Sequence, residues 1–191
     1  MSCKKAISLI MILLLLVGAG GCGTTKRASR QKQSAESNKG GKKNLSSVRL
    51  EYIAKYKELA IRQMKKYKIP ASIILAQACL ESADGRSTLA TKANNHFGIK
   101  CHSSWKGKTY RKDDDRRNEC FRKYPTIEDS YKDHSEFLKN GKRYSKLFSL
   151  PLRDYRKWAK GLKEAGYATD PHYAEVLIKI IEDYQLYRYD K

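Results

Sequence analysis

Apolar residues along this chain recur with more than one period, and the changes of period mark its elements. From Ser46 onward, Leu50, Ile53, Ala54, Ala60, Ile61 and Met64 fall at helical spacing with Lys and Arg between them, which predicts an amphipathic first helix. The next stretch, IPASIILAQACLES at 69–82, is apolar on every side of a helix as far as Glu81, with Pro70 at a first-turn position. A helix without a polar face is predicted to run through the core. Asp84 and Gly85 close it, because glycine takes the left-handed conformation that ends helices.

After Asn94 and Asn95 the helical period stops. FGIKC, GKTYRK and ECFRKY are short runs with β-branched or aromatic residues, separated by HSSWKG and DDDRRN, and they predict a small antiparallel sheet. Helical spacing then returns. Thr126 caps a helix with Asp129 three residues on, and Ile127, Tyr131, His134, Phe137 and Leu138 line one face until Asn140-Gly141. Leu152, Tyr155, Trp158, Ala159 and Leu162 give a further helix ending near Gly166. A last one begins at Asp170-Pro171, with Asp170 as its N-cap, and carries Ala174, Val176, Leu177, Ile180, Ile181 and Tyr184. The fold class is α+β: about five helices around one buried helix, with a small β lobe inserted after it.

The N-terminus follows another logic. Lys4 and Lys5 precede an apolar run from Ala6 to Val17 and then small residues up to Cys22, the layout of a secretory signal. The run is too short for a comfortable membrane span. Ala19-Gly20-Gly21-Cys22 resembles a lipoprotein processing box, with Ala19 where Leu is commoner; Cys22 would become the lipidated first residue. Plain cleavage and a retained anchor are the alternatives, and each takes the rest of the chain out of the cytoplasm. Residues 23–45 are Gly, Ser, Thr, Lys, Arg and Gln with almost no large apolar side chain, a composition that cannot offset the entropy of ordering. The organisation is therefore a signal at 1–21, a flexible basic tether at 22–45 and one domain at 46–191.

Composition sharpens the choice of partner. The chain has 40 Lys and Arg against 20 Asp and Glu, a formal net charge of +20, of which residues 51–191 hold +11. Such charge attracts polyanions: nucleic acid, anionic lipid or wall polymers. Nucleic acid is disfavoured by export and by the lack of a zinc-knuckle, RRM-like or basic-region motif. The 13 Tyr and 2 Trp suit a groove that stacks flat rings. In an oxidising compartment Cys101 and Cys120 form a plausible disulfide, closing a loop of about 20 residues and contributing about 3 kcal/mol. Cys79, inside the apolar run, reads as a buried thiol. Three remaining cysteines without paired spacing argue against a metal site, and no cofactor is implied.

Glu81 is the most informative residue. A carboxylate at the end of an apolar helix needs a reason, and both burial and the helix C-terminus favour its neutral form, as a general acid requires. A bond to neighbouring backbone, or a pair with Arg86, is the structural alternative. Three segments in consistent order decide between them: ILAQACLESADGRS with NNHFGIK, ECFRKY, and AGYATDPHYAEVL. Together they resemble glycoside hydrolase family 73, the lysozyme-like glucosaminidases of bacterial autolysins and flagellar muramidase-type proteins. The resemblance covers roughly residues 50–187 and is most specific at Glu81-Ser82, at Asn95 with Phe97-Gly98-Ile99-Lys100, and at Tyr167 to Pro171 with Tyr173.

The resemblance implies a lysozyme-like fold and hydrolysis of the β-1,4 bond between N-acetylglucosamine and N-acetylmuramic acid. It places the general acid at Glu81, cleft aromatics at Tyr167 and Tyr173, and substrate contacts at Asn95 and Phe97. A second carboxylate would fall in the β lobe, where Asp113, Asp114, Asp115 and Glu119 are available and Asp114 and Asp113 are the first candidates. Where the family commonly has a Thr-Thr-Glu-Tyr-like stretch this chain has DDDRRN, so substrate-assisted catalysis by the acetamido group is the other route. Trp105 is a candidate sugar platform. His96 and His102 read as turn residues and His134 as a core histidine. The expected partners are peptidoglycan glycan strands and, through Cys22, the membrane of the cell envelope; a monomer is the expected state. A lytic transglycosylase and a non-catalytic wall-binding module remain the competing functions.

Overall fold

A computed structural model of the chain describes residues 36–191, with side chains from 47 onward. The signal, Cys22 and the tether up to residue 35 lie outside the described residues. The first helix, α1 (Glu36–Tyr67), begins ten residues before the periodicity predicts and so inside the segment assigned to the tether. Hydrophobic spacing marks only the part of a helix that packs. Once the packed turns are in place, extension costs one residue's order per hydrogen bond, and no proline at 36–45 stops it.

α2 (Ala71–Ser82) is the axis of the molecule. Every residue from Ala71 to Cys79 is buried, Ser72 and Gln77 included, and α1, α5 (Tyr155–Glu164), α6 (Tyr173–Asp183) and the 3-10 turn Leu186–Tyr189 pack around it. A buried helix start needs acceptors for its free N–H groups, and the N-cap here is Pro70, which offers no side-chain oxygen. Asp190 supplies them from the far end of the chain: its Oδ1 accepts from Ser72 N at 2.8 Å and its Oδ2 from Ser72 Oγ at 2.6 Å.

The other end of α2 is locked just as tightly. Ala83, Asp84 and Gly85 all take positive φ (51°, 55° and 80°). Ser82 Oγ donates to Ala78 O at 2.6 Å and accepts from Gly85 N at 2.7 Å, and the buried Asp84 receives Arg49 Nε at 2.8 Å and Nη2 at 3.1 Å. A Cβ at Gly85 would sit 3.0 Å from the Tyr52 ring, so position 85 is restricted by space as well as by φ. This pinned turn fixes where Glu81 ends up.

A short helix, α3 (Thr88–Ala93), follows, with Ser87 accepting from Ala90 N. The sequence pattern gives no sign of it, because six residues are too few to show a period. The β lobe is then β1 (Thr109–Lys112) paired antiparallel with β2 (Glu119–Arg122), Thr109 opposite Arg122 and Lys112 opposite Glu119. The run at 97–101, expected as a strand, contributes a single bridge between Lys100 and Phe121. Gly98 turns the chain at φ 59°, and Asn95 holds the loop instead of a ladder, its Nδ2 donating to Ile99 O and Arg122 O while its Oδ1 accepts from Ile99 N. Cys101 and Cys120 are joined by a disulfide, and Cys79 is the free, buried cysteine among the described residues.

α4 (Ile127–Asn140) opens with the Thr126–Asp129 capping box. After it, Lys142–Ser149 form a 3-10 segment that the sequence reading leaves as a connection. α5 starts at Tyr155 with Asp154 accepting from Lys157 N, three residues later than Leu152. α6 starts at Tyr173. Asp170 is not its N-cap: its Oδ1 accepts from His172 N at 2.9 Å, a turn just ahead of the helix, and His172 occupies the cap position. Two buried histidines tie α4 to its neighbours. His134 stacks on Phe97 with ring centroids 3.9 Å apart, while His96 sits in the turn after α3, 2% exposed, with Nδ1 2.6 Å from Tyr52 Oη.

Candidate active site

Glu81 stands in the last turn of α2, where the helix leaves the core and the side chain is half-buried. The phenol of Tyr173, the first residue of α6, donates to Glu81 Oε1 at 3.2 Å and accepts from Gln77 Nε2 at 2.9 Å. Gln77 lies four residues before Glu81 on α2, so one helix face carries both the carboxyl and the amide that orients its partner. Burial, and then the Glu81 charge, hold the Tyr173 hydroxyl well above its ordinary range. It is therefore a neutral donor, aimed at one oxygen of the carboxylate. Tyr167 stacks on Tyr173 with centroids 5.6 Å apart and planes 24° from parallel, and burial followed by the Glu81 charge raises it in the same way.

Tyr167 and Tyr173 are 0% and 1% exposed, so neither presents a ring face on which a sugar could stack. They form the wall behind Glu81. Tyr167 reaches that position because its N–H closes on Leu162 O at the end of α5, which folds its ring inward against His134, Phe137 and Tyr144. Asn95 and Phe97 are also fully buried and spend their contacts on the β-lobe loop and on His134. They shape the lobe from within. Arg86 is exposed, its Nε 3.4 Å from Ala83 O, while the guanidinium that secures this turn belongs to Arg49.

The β lobe carries its own ionic knot. Lys100 Nζ lies 3.0 Å from Asp114 Oδ2, 2.8 Å from Asp115 Oδ2 and 2.7 Å from Glu119 Oε2. Oxygens of these three acids lie within 4.8 Å of one another, close enough to hold a metal ion, but the cation among them is the Lys100 ammonium. Burial works against that charge; the bonds from Asp115, Glu119 and Asp114 outweigh it and hold the ammonium above its ordinary range. Asp113 is a turn former, accepting from Asn118 N at 2.6 Å. Trp105 is half-buried, with Nε1 donating to Lys108 O and the Arg122 guanidinium over its ring at 4.7 Å, and Arg122 in turn is held by Asp133, which also accepts from Tyr124.

A half-buried carboxyl, a neutral phenol hydrogen-bonded to it and a pinned helix end make a site suited to moving one proton. Against this geometry, the family described as mannosyl-glycoprotein endo-beta-N-acetylglucosaminidase (glucosaminidase) matches residues 57–186, which include Gln77, Glu81, the whole β lobe, Tyr167 and Tyr173. The chain belongs to the glucosaminidase family. The chain is 38% identical over 136 residues to the exo-glucosaminidase LytG of Bacillus subtilis, covering 66% of the chain and 48% of LytG. It is 29% identical over 151 residues to the peptidoglycan hydrolase FlgJ of Vibrio cholerae, covering 72% of the chain and 45% of FlgJ. The chain thus spans about half the length of these curated relatives. Among solved structures, the peptidoglycan hydrolase from Sphingomonas sp. A1 matches at a TM-score of 0.63 and 31% identity, covering 72% of this chain and 90% of that one. The glycoside hydrolase domain of Salmonella typhimurium FlgJ matches at 0.60 and 28%, covering 72% and 88%. The mainly helical glucosaminidase fold with its two-stranded β lobe is therefore the lysozyme-like fold of these domains.

Gln77, Lys100 and Asp190 escape a reading of the sequence for chemistry. Gln77 leaves a trace, as the one amide in an otherwise apolar helix and four residues from Glu81. Lys100 stands in the Phe97-Gly98-Ile99-Lys100 stretch but gives no sign of its acidic partners, and Asp190 leaves no trace, since its partner Ser72 is distant in sequence.

Proposed function

We propose that the chain hydrolyses the β-1,4 bond between N-acetylglucosamine and N-acetylmuramic acid in wall glycan, with Glu81 as the general acid. The observation that carries this reading is the Gln77–Tyr173–Glu81 chain of hydrogen bonds at the outer end of a buried helix. The family match and the relatives named for peptidoglycan and glucosaminidase activity support it. Glu81 gives its proton to the glycosidic oxygen as the C1–O bond breaks. Tyr173 holds one oxygen of the carboxylate and stabilises the charge left behind.

The β-lobe acids do not serve as the second carboxylate in this proposal, because Asp114, Asp115 and Glu119 share the Lys100 ammonium and Asp113 caps a turn. The substrate's acetamido carbonyl oxygen attacks C1 instead. Water then opens the cyclic intermediate, and the Glu81 carboxylate takes the water's proton, which restores the acid. Asp114→Asn accordingly keeps kcat within about tenfold of wild type, against the far larger loss a nucleophile or base would show.

Mass spectrometry of fragments released from purified sacculi tests the reaction class. Hydrolysis as proposed leaves reducing N-acetylglucosamine ends, whereas anhydro-muramic ends would make the chain a transglycosylase. For the envelope location, the proposal is export and a lipid on Cys22, supported by the signal layout and the processing box. It predicts that Cys22→Ser releases the protein from the membrane fraction; a variant that stays membrane-bound contradicts lipidation there.

A further inference from the structure

We propose that the cavity between the Lys142–Ser149 segment and α5 binds the short acidic peptide carried by wall glycan, as a second subsite of the site at Glu81. This rests on the reading of the chain as a wall-glycan hydrolase. The cavity holds about 480 Å3. Its floor is apolar and built from Leu147, Leu150, Gly161 and Ala165, while Arg143, Lys146, Lys157 and Lys160 line it with positive charge and Glu164 adds a carboxylate. Lys157, Lys160 and Glu164 recur at the spacing of one face of α5, and Arg143 and Lys146 recur at the spacing of one face of the segment opposite.

Lys157 is engaged by Asp154 at 2.9 Å, but Arg143, Lys146 and Lys160 have no carboxylate within ion-pair distance among the described residues. Four cations and one carboxylate line the cavity, so its rim is positively charged. Cations with no carboxylate partner among the described residues, at Arg143, Lys146 and Lys160, set around an apolar floor, suit an external anion. A peptide with several carboxylates, methyl-sized side chains and an amino group satisfies each part: carboxylates for the cations, methyls for the floor, an ammonium for Glu164.

The position suits the same ligand. The Arg143 guanidinium is stacked on Tyr144 at 4.7 Å and is thus immobilised before any ligand arrives. Its charge also acts on Tyr167, whose ring leans on Tyr173 behind Glu81. One aromatic cluster therefore runs from the cavity wall to the carboxyl: Tyr144 lies 6.2 Å from Tyr167, which stacks on the Tyr173 that donates to Glu81.

The test is steady-state cleavage of peptide-bearing strands and of strands stripped of their peptides, by wild type and by a Lys146→Glu, Lys160→Glu double variant. Wild type should show a KM about tenfold lower for peptide-bearing strands, and in the variant the two KM values should converge. No preference in wild type, or a preference that survives in the variant, overturns the proposal. Calorimetry of an isolated disaccharide-peptide with the Glu81→Gln protein separates the two readings. Binding that depends on Lys146 and Lys160, in a protein whose wild type cuts no strand, upholds the cavity and rejects the hydrolase; no peptide binding rejects the cavity. Binding of phosphatidylglycerol vesicles through these lysines without peptide binding also overturns it, in favour of a membrane contact.

Discussion

At the scale of single residues the site is a contest over one carboxyl group, and Tyr173 is the side chain that settles its position. Tyr173→Phe keeps the buried ring but removes the donor to Glu81 and the acceptor for Gln77. It should cost about 1–3 kcal/mol of stability for the amide left unsatisfied in the core, and lower kcat by roughly tenfold or more with little change in KM. Thermal unfolding and steady-state kinetics check both parts; a rise in KM alone would assign Tyr173 to substrate binding. His96 supplies a separate pH dependence. Burial, then the nearby Lys55 charge, lowers it from 6.5 to about 4. The folded state thus resists a proton that the unfolded chain accepts, so stability is full above about 6.5, falls as pH drops and levels off below about 4, a loss of about 3 kcal/mol. His96→Asn should flatten the fall in Tm across that interval, and an equal slope in the variant would refute the assignment. Glu81 itself was legible in the sequence because a charged residue breaks an apolar run. The partners of Glu81 were not, since Tyr173 is 92 positions away and hydrogen bonding leaves no periodic trace.

Among the elements, the long ones were legible and the short ones were not. α2, α4 and α6 bury enough side chains to impose a period, so their existence followed from spacing alone. α3 and the Lys142–Ser149 segment are set by caps and by tertiary packing, and the run at 97–101 is held as a loop by Asn95 and Gly98 despite its strand-like composition. Tyr167 and Tyr173 show what residue type leaves out: both rings are buried behind Glu81, which sequence spacing could not indicate. α2 depends on capping from outside. Asp190→Ala should remove the acceptor for Ser72 N and Ser72 Oγ and lower stability by about 1–2 kcal/mol, measured by denaturant unfolding. An unchanged midpoint would show that water replaces the cap. Reducing the Cys101–Cys120 disulfide should loosen the β lobe and lower stability by about 3 kcal/mol, with the helical core keeping its far-ultraviolet signal.

For the whole molecule, fold and chemistry converge on α2. A helix with no polar face is forced into the core, its two ends are fixed by Asp190 and by the Arg49–Asp84 pair, and the residue that emerges at its outer end is a glutamate. Residues 51–191 carry +11, so on the proposed function cleavage of whole sacculi should slow as salt rises. The central claim is that Glu81 moves the proton. Turbidity clearing of purified sacculi, run beside a pelleting assay on the same material, measures it most directly with wild type and Glu81→Gln. Wild type should clear the suspension, and the variant should lose clearing by about a thousandfold or more while still sedimenting with the sacculi. A variant that clears at the wild-type rate would contradict the account.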